Sequence, residues 1–315
     1  MAKIVNTYLL YLEWPERCFR LTAADLACFR ALVPAGSRIV RVRSDAAFLK
    51  ALPQASHVVT WHFRAEWFAR SPRLKLLATP AAGRELLPTL APPGVRLHFG
   101  HFHGAIIAET VIGYALAWTH GLFEPRLEWP RARLADKVRA FPGSVALVVG
   151  YGHVGRAIGE RFRAFGAKVY GLTRHGVITA ERERLTAAAL WRRADWLVLA
   201  LPGDTGTDDY LDARRLARLK RGCVVINVGR GNAVDEAALM AALRGGRIAG
   251  AYLDVFKDEP TQLAAVRGGG PVRRAQGLAW ARTMPPRLVL SPHASAFSPL
   301  YLRMCFQELK DDGAI

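Results

Sequence analysis

Between Ser144 and Gly155 the chain reads SVALVVGYGHVG, and this stretch limits the available folds more than any other. Val145 to Val149 are all apolar, with no alternation, so a strand there has two apolar faces and must be covered on both. That is the pattern of a buried strand in a parallel α/β sheet. The strand runs directly into G-x-G-x-x-G and then into a helical pattern over 154–165. A chain with 28 glycines can produce three at this spacing by chance, so the strand and helix around them carry the argument. Gly150 permits the tight turn, Gly152 lets a pyrophosphate approach the backbone, and Gly155 lets the helix pack on the strand. The helix N-terminus then offers N–H groups and a positive dipole end to the anion. Gly150, Tyr151, Gly152, His153, Val154 and Gly155 are therefore the expected phosphate-binding turn of a dinucleotide site. The competing reading is a glycine-rich turn with no ligand.

Strands and helices alternate along the rest of the chain. Upstream, IVNTYLL, RIVRV, HVVTW and LKLLAT read as strands, and TAADLACFRALV as a helix with Thr22 as its N-cap. GAIIAETVIGYALAWTH, at 104–120, has continuous helical apolar spacing and is read as the crossing into a second unit. Downstream, KVYGL, DWLVLALP, CVVINVG, IAGAYLDV and LVLSPHAS read as strands. The helices between them are expected around 181–193, over 212–219 and over 235–244, with a last one over 298–311. The expected fold class is α/β, with two doubly wound parallel-sheet domains. A length of 315 residues suits two domains. The first is expected to be discontinuous, 1–110 with 293–315, because the last helix should pack back on it; the second is 111–292. The Gly/Pro/Arg-rich stretch 261–287 reads as an exposed loop.

Composition excludes several functional classes. Cys18, Cys28, Cys223 and Cys305 are scattered, with no CxxC pair and no Cys/His cluster at ligand spacing, so no metal site is expected and a reducing, cytoplasmic setting fits. The N-terminus shows no cleavage signature, and no apolar run is long enough to span a bilayer. The formal charge of +18 invites a nucleic-acid reading. The basic residues are nearly all arginine and spread along the chain, in pairs such as Arg192/Arg193 and Arg214/Arg215 on expected solvated helix faces. No nucleic-acid partner is expected; a positive field that draws in anionic ligands is.

An NAD site would place an Asp or Glu on the ribose hydroxyls about twenty residues after the turn. Here KVYGL ends in Thr173-Arg174-His175. Nothing at that end repels a 2′-phosphate, and Arg174 with His175 can pair with one, which favours NADP(H) and leaves NAD(H) as the alternative. The other reading of Arg174 is one more surface arginine.

Three further segments place polar residues at strand ends: INVGRG (226–231), LDVFKDEP (253–260) and LSPHAS (290–295). In doubly wound folds ligands bind outside the carboxyl ends of strands, so Arg230, Glu259 and His293 can converge. Singly, Arg230 could cap a turn, Glu259 could be a loop carboxylate before Pro260, and His293 a structural loop histidine.

From the glycine turn through LPGDTGTDDY, INVGRG and DVFKDEP to SPHAS, the chain resembles the D-isomer-specific 2-hydroxyacid dehydrogenase family. The match is strong over some 150 residues and holds only in outline in the N-terminal unit. The resemblance implies a Rossmann-type cofactor domain and a flavodoxin-like substrate domain with a cleft between them. It implies that Arg230 binds the substrate carboxylate and carbonyl, that His293 donates the proton and that Glu259 pairs with His293. Leu201, Pro202, Thr207, Val228, Gly229 and Asp254 match positions lining the cofactor. In the N-terminal unit, Ala82 and Gly83 fall in the loop that holds a substrate carboxylate, and Trp61 resembles a pocket residue of the glyoxylate/hydroxypyruvate reductase branch; a packing role is the alternative. The implied function is hydride transfer between NAD(P)H and a small 2-oxo acid, in a homodimer. The other class is a non-catalytic dinucleotide sensor, similar to the corepressors that share this fold. The chain departs from the pattern in a long 261–292 interval and in an Arg84-Glu85 pair where an Asp is common.

Overall fold

Largely buried strands form the middle of both sheets, and the more exposed strands lie at the edges. This is the arrangement that two-sided coverage of a parallel sheet requires. The computed structural model describes residues 6–84, 86–123, 135, 138–257 and 287–315. The chain divides into two compact units, Met1–His103 with Phe297–Ile315, and Gly104–Ala296.

In the first unit, β1 (Thr7–Tyr11), β2 (Arg38–Arg41), β3 (His57–Thr60), β4 (Leu76–Thr79) and β5 (Arg96–Phe99) lie in the order β2-β1-β3-β4-β5, with every pairing parallel. Helix α1 (Ala23–Leu32) starts at Thr22, whose hydroxyl accepts the Asp25 N–H while the Asp25 carboxylate accepts the Thr22 N–H. This reciprocal cap satisfies two amides that would otherwise be orphaned. Helix α2 is Asp45–Ala51, and the C-terminal helix, called αC here, is Tyr301–Asp311; helix α3, His103–Thr119, begins at the end of this unit and runs on into the second. Helix αC packs on α1: Phe306 meets Phe29 edge-on at 4.8 Å, and Arg303 pairs with Asp25 at 3.1 Å. Neither α2 nor β5 was anticipated from sequence, because one has seven residues and the other four, too few to show a period.

In the second unit, β6 (Val145–Val149), β7 (Lys168–Thr173), β8 (Gly176–Thr179), β9 (Trp196–Leu199), β10 (Val224–Asn227), β11 (Gly250–Leu253) and β12 (Leu288–Leu290) are ordered β12-β11-β10-β9-β6-β7-β8. Only β8 runs antiparallel. The order reverses between β6 and β9, which makes the carboxyl ends of those two strands the switch point where such sheets take ligands. The helices on its faces include His153–Ala164, Ala187–Arg193, Ala213–Arg218 and Glu236–Arg244.

One expectation is corrected here. The helix foreseen around 181–193 starts at Ala187, capped by Thr186, because 176–179 folds back as β8. The unit limits foreseen at 110/111 and 292/293 fall inside α3 and inside the turn that holds His293. Ala108, Val111, Ile112 and Ala115 of α3 pack in one core with Ala146, Val148, Val224 and Ile226, so the helix stays with the second sheet. Among the described residues no helix is long and apolar enough to cross a membrane.

Candidate functional site

Glycines set how closely the strand ends of the second unit approach one another. Gly150, at φ +89°, could not be another residue, since a Cβ there would run into the carbonyl of Ala200 just after β9. A Cβ on Gly229 would stand 2.5 Å from the Leu201 carbonyl oxygen, and one on Gly231 would overlap the Phe256 carbonyl. The loops after β6, β9, β10 and β11 are therefore seated backbone against backbone. A Cβ on Gly155 would strike the Gly150 carbonyl, so the helix lies directly on the strand end. Gly152 is different: nothing lies within 4 Å of where its Cβ would be. The turn is closed where chain meets chain and open where an anion would sit, and the first helical turn has no capping side chain. These residues fit a pyrophosphate.

The side chains of the turn divide in role. Tyr151 packs back onto the sheet, its hydroxyl 2.8 Å from where a Gly159 Cβ would be and its ring against Gly171. Its ring forms a floor under the turn. His153 is exposed and Val154 half-buried. Arg156 was not singled out from sequence; its Nε donates to the Tyr151 carbonyl at 3.3 Å, which holds an exposed guanidinium beside the turn. At the end of β7, Thr173, Arg174 and His175 form the tip of the β7–β8 hairpin. The Thr173 hydroxyl accepts the His175 N–H at 3.1 Å and donates to the Gly176 carbonyl. Arg174 Nε donates to His175 Nε2 at 3.0 Å, and both side chains are exposed.

Arg230 leaves the end of β10 between two glycines that fix its backbone, with its aliphatic stem lying over Gly203. Asn227 braces it: the side-chain amide donates to the Arg230 carbonyl at 3.1 Å and its oxygen accepts the Gly229 N–H at 3.2 Å. Arg230 itself donates to the Gly229 carbonyl at 3.0 Å. Thr207 is buried, and its hydroxyl donates within its own loop, to Pro202 and Asp204, both at 2.8 Å. Leu201 supplies its backbone to the Gly229 contact, while Val228 is a buried core residue and Pro202 is exposed.

His293 has a left-handed backbone, φ +55°, which is uncommon for a residue with a side chain. Asp254, only 2% exposed, enforces it. The Asp254 carbonyl accepts the His293 N–H at 2.8 Å, and its carboxylate accepts the N–H of Ala294 at 2.9 Å and of Ser295 at 3.1 Å. The Asp254 N–H donates to the Asn227 carbonyl at 3.0 Å. The Tyr252 hydroxyl and Ser295 Oγ share a hydrogen bond of 2.9 Å, and burial pushes the Tyr252 pKa up, so it stays neutral. Asn227 and Asp254 thus tie the segments bearing Arg230 and His293 into one hydrogen-bonded frame. Glu259 lies outside the described residues. Asn227, Tyr252 and Ser295 were missed from sequence, although all three sit within or beside the segments read as chemical.

In the first unit Trp61 is 5% exposed, and its indole N–H donates to the Phe19 carbonyl at 3.2 Å. Its ring is 5.2 Å from Trp14, 5.6 Å from Phe19 and 6.0 Å from Tyr301. Phe19 also meets Phe297 at 5.0 Å, and Phe297 is 43% exposed. After β4, the Thr79 hydroxyl accepts the Ala81 N–H at 3.2 Å, Ala82 is exposed and Gly83 half-buried.

The family model described as D-isomer specific 2-hydroxyacid dehydrogenase, NAD binding domain, matches residues 123–295. A glyoxylate reductase of Thermococcus kodakarensis is 30% identical over 216 residues, covering 62% of this chain and 64% of that protein. A putative 2-hydroxyacid dehydrogenase of Haemophilus influenzae is 30% identical over 244 residues, covering 73% of this chain and 74% of its own. In three dimensions, the chain is similar to the NAD-complexed D-isomer specific 2-hydroxyacid dehydrogenase of Lactobacillus delbrueckii ssp. bulgaricus, with TM-score 0.79 and 18% identity over 98% of this chain and 96% of that one.

Proposed function

This chain belongs to the D-isomer-specific 2-hydroxyacid dehydrogenase family, and from that premise we propose that it reduces a small 2-oxo acid with NADPH, in the manner of a glyoxylate or hydroxypyruvate reductase. The second unit is then the dinucleotide domain and the first the substrate domain. The observation that most supports the reading is the frame in which Asn227 and Asp254 hold the Arg230 and His293 segments at the carboxyl ends of β10 and β12, on either side of β11.

The chain's own residues supply binding, orientation and a proton. The Gly150–Gly155 turn holds the pyrophosphate, and Arg174 with His175 accept a 2′-phosphate. A nicotinamide bound there would supply the hydride. Arg230 offers a planar two-pronged donor to the carboxylate and carbonyl of the 2-oxo acid, which orients the carbon to be reduced. As hydride reaches that carbon, negative charge grows on the carbonyl oxygen, and the His293 imidazolium gives it a proton. General-acid assistance of this kind contributes about 10²–10⁴-fold. The products would be the 2-hydroxy acid, the oxidised cofactor and a neutral His293, which recovers its proton from water. Asp254 keeps the imidazole at the required place, and Glu259 is the proposed partner that favours its charged form. In the first unit, Trp61 serves as a wall by its ring, since its N–H is already used, while the Ala82–Gly83 loop offers backbone amides to a carboxylate. The exposed apolar pair Leu122 and Phe123, just past α3, favours a homodimer, which light scattering would test.

The direct test is oxidation of NADPH and NADH, in parallel, with glyoxylate, hydroxypyruvate, pyruvate and phenylpyruvate. Turnover is expected with a small 2-oxo acid and faster with NADPH. Tight cofactor binding with no turnover on any of the four would favour a dinucleotide sensor instead.

A further inference from the structure

In the first unit, the loop after β4 is anchored at the Pro80 carbonyl by groups from two other parts of the chain. Pro80 is buried, and its ring fixes φ, which limits how the loop can leave the strand. One neighbour is Gly100, whose N–H donates to the carbonyls of Thr79 and Ala81, both at 3.0 Å. A Cβ on Gly100 would strike the Pro80 carbonyl, so backbone meets backbone there. The other neighbour is Tyr301, the first residue of αC. Its hydroxyl donates to the Pro80 carbonyl at 3.4 Å and bonds His103 Nε2 at 2.7 Å. All four residues belong to the first unit.

A phenol has one hydrogen to give, and a carbonyl can only accept. With that hydrogen on Pro80, the phenol oxygen is left to accept from His103 Nε2, and the bonds run from imidazole to hydroxyl to carbonyl. Tyr301 is 4% exposed and His103 6%, and burial pushes the Tyr301 pKa up, which keeps the hydrogen in place. The ring itself is fixed by edge-on contacts with Phe19 at 4.6 Å and Phe102 at 4.8 Å. The peptide between Pro80 and Ala81 is therefore held at both ends: its carbonyl by Tyr301 and its N–H by the Thr79 hydroxyl at 3.2 Å. The next two residues are Ala82, exposed, and Gly83, half-buried.

We propose that Tyr301 is a positioning residue for the 2-oxo acid: its hydroxyl, held by His103, fixes the Pro80 carbonyl and so sets the Ala82–Gly83 amides that receive the carboxylate. This rests on the function proposed above, in which that loop meets the substrate. The carboxylate is not the group that reacts, so a contact to it is made equally in the bound substrate and in the transition state. Losing such a contact raises KM and leaves kcat alone. A tyrosine that only packs αC would show no such split. Neither bond has a local signature in the sequence, because 221 and 198 residues separate the partners.

The test is Tyr301→Phe in the full-length protein, which keeps the ring and removes only the hydroxyl. With NADPH saturating and glyoxylate or hydroxypyruvate varied, KM should rise about threefold to tenfold, the range that one neutral hydrogen bond supplies. The value of kcat should stay within about twofold. Hydrogen exchange of the Ala81 and Gly100 amides, both bonded within this loop, is followed on the same proteins without substrate. It should quicken in the variant by about the same factor as KM rises. The proposal is overturned by an unchanged KM, by a loss confined to kcat or to the unfolding midpoint, or by unchanged exchange. A wild type that turns over no 2-oxo acid would sink the proposed function instead. Exchange then decides the hold on the loop alone: faster exchange in Tyr301→Phe upholds it, and equal exchange overturns it.

Discussion

Each unit is held at its strand-end loops by a different kind of contact. In the second, the loops after β6, β9, β10 and β11 touch through glycine at Gly150, Gly229 and Gly231, so Arg230 is positioned by backbone that has no freedom to shift. In the first, rings do the same work: Trp61, Phe19, Tyr301 and Phe297 form a continuous aromatic contact, and Phe29 and Phe306 join α1 to αC. Backbone contact is unforgiving, since one methyl group is too many. Ring contact can be repacked with other large side chains at modest cost. The first suits chemistry common to a family, and the second suits a pocket that changes with substrate.

The contrast can be broken by substitution. The largest effect is expected for Gly231→Ala, whose methyl would enter the Phe256 carbonyl. A loss above about 4 kcal/mol, in the range reserved for severe clashes, should appear in chemical unfolding. A mild effect there would mean that the strand-end loops can slide. Phe306→Ala, which leaves a cavity against Phe29, should cost about 3 kcal/mol or somewhat more and leave cofactor binding untouched. Gly152→Ala sharpens the comparison, because its Cβ would meet nothing in the protein. Its unfolding midpoint should match the wild type, while NADPH affinity by fluorescence falls at least about tenfold, or about 1.4 kcal/mol.

A smaller effect depends on pH and belongs to the first unit alone. Burial, helped by the Lys75 charge, pushes His57 down to about 4. Its ring stacks on Tyr8 at 4.5 Å and its Nδ1 meets Ser56 Oγ at 2.8 Å. The folded value lies below the unfolded value of about 6.5, so on acidification the unfolded chain takes up the proton first. Stability should be level above about pH 6.5 and fall between there and about pH 4. His57→Gln should flatten that slope in unfolding midpoints measured across the interval.

What could be read in the sequence follows the same division. The β6 strand, the glycine turn, the helices over 154–165 and 235–244 and the segments holding Arg230 and His293 are all local patterns, each complete within a dozen residues. Asp254 was visible as a matched position, but its grip on the His293 turn needs residues 39–41 positions apart to meet and cannot be seen in one dimension. The hairpin strand β8 has no sequence period to reveal it. The aromatic cluster draws on residues 14, 19, 61, 297 and 301, and the His98–Glu308 pairing joins two ends of the chain, so neither has a local signature.

In the proposed function, this frame presents His293 as the proton donor to a 2-oxo acid held by Arg230. The measurement closest to it is single-turnover oxidation of bound NADPH by glyoxylate or hydroxypyruvate, comparing wild type with His293→Ala at matched cofactor saturation. The variant should bind NADPH as tightly as the wild type and transfer hydride at least about a hundredfold more slowly, in line with loss of a general acid. Hydride transfer at the wild-type rate in His293→Ala would contradict it.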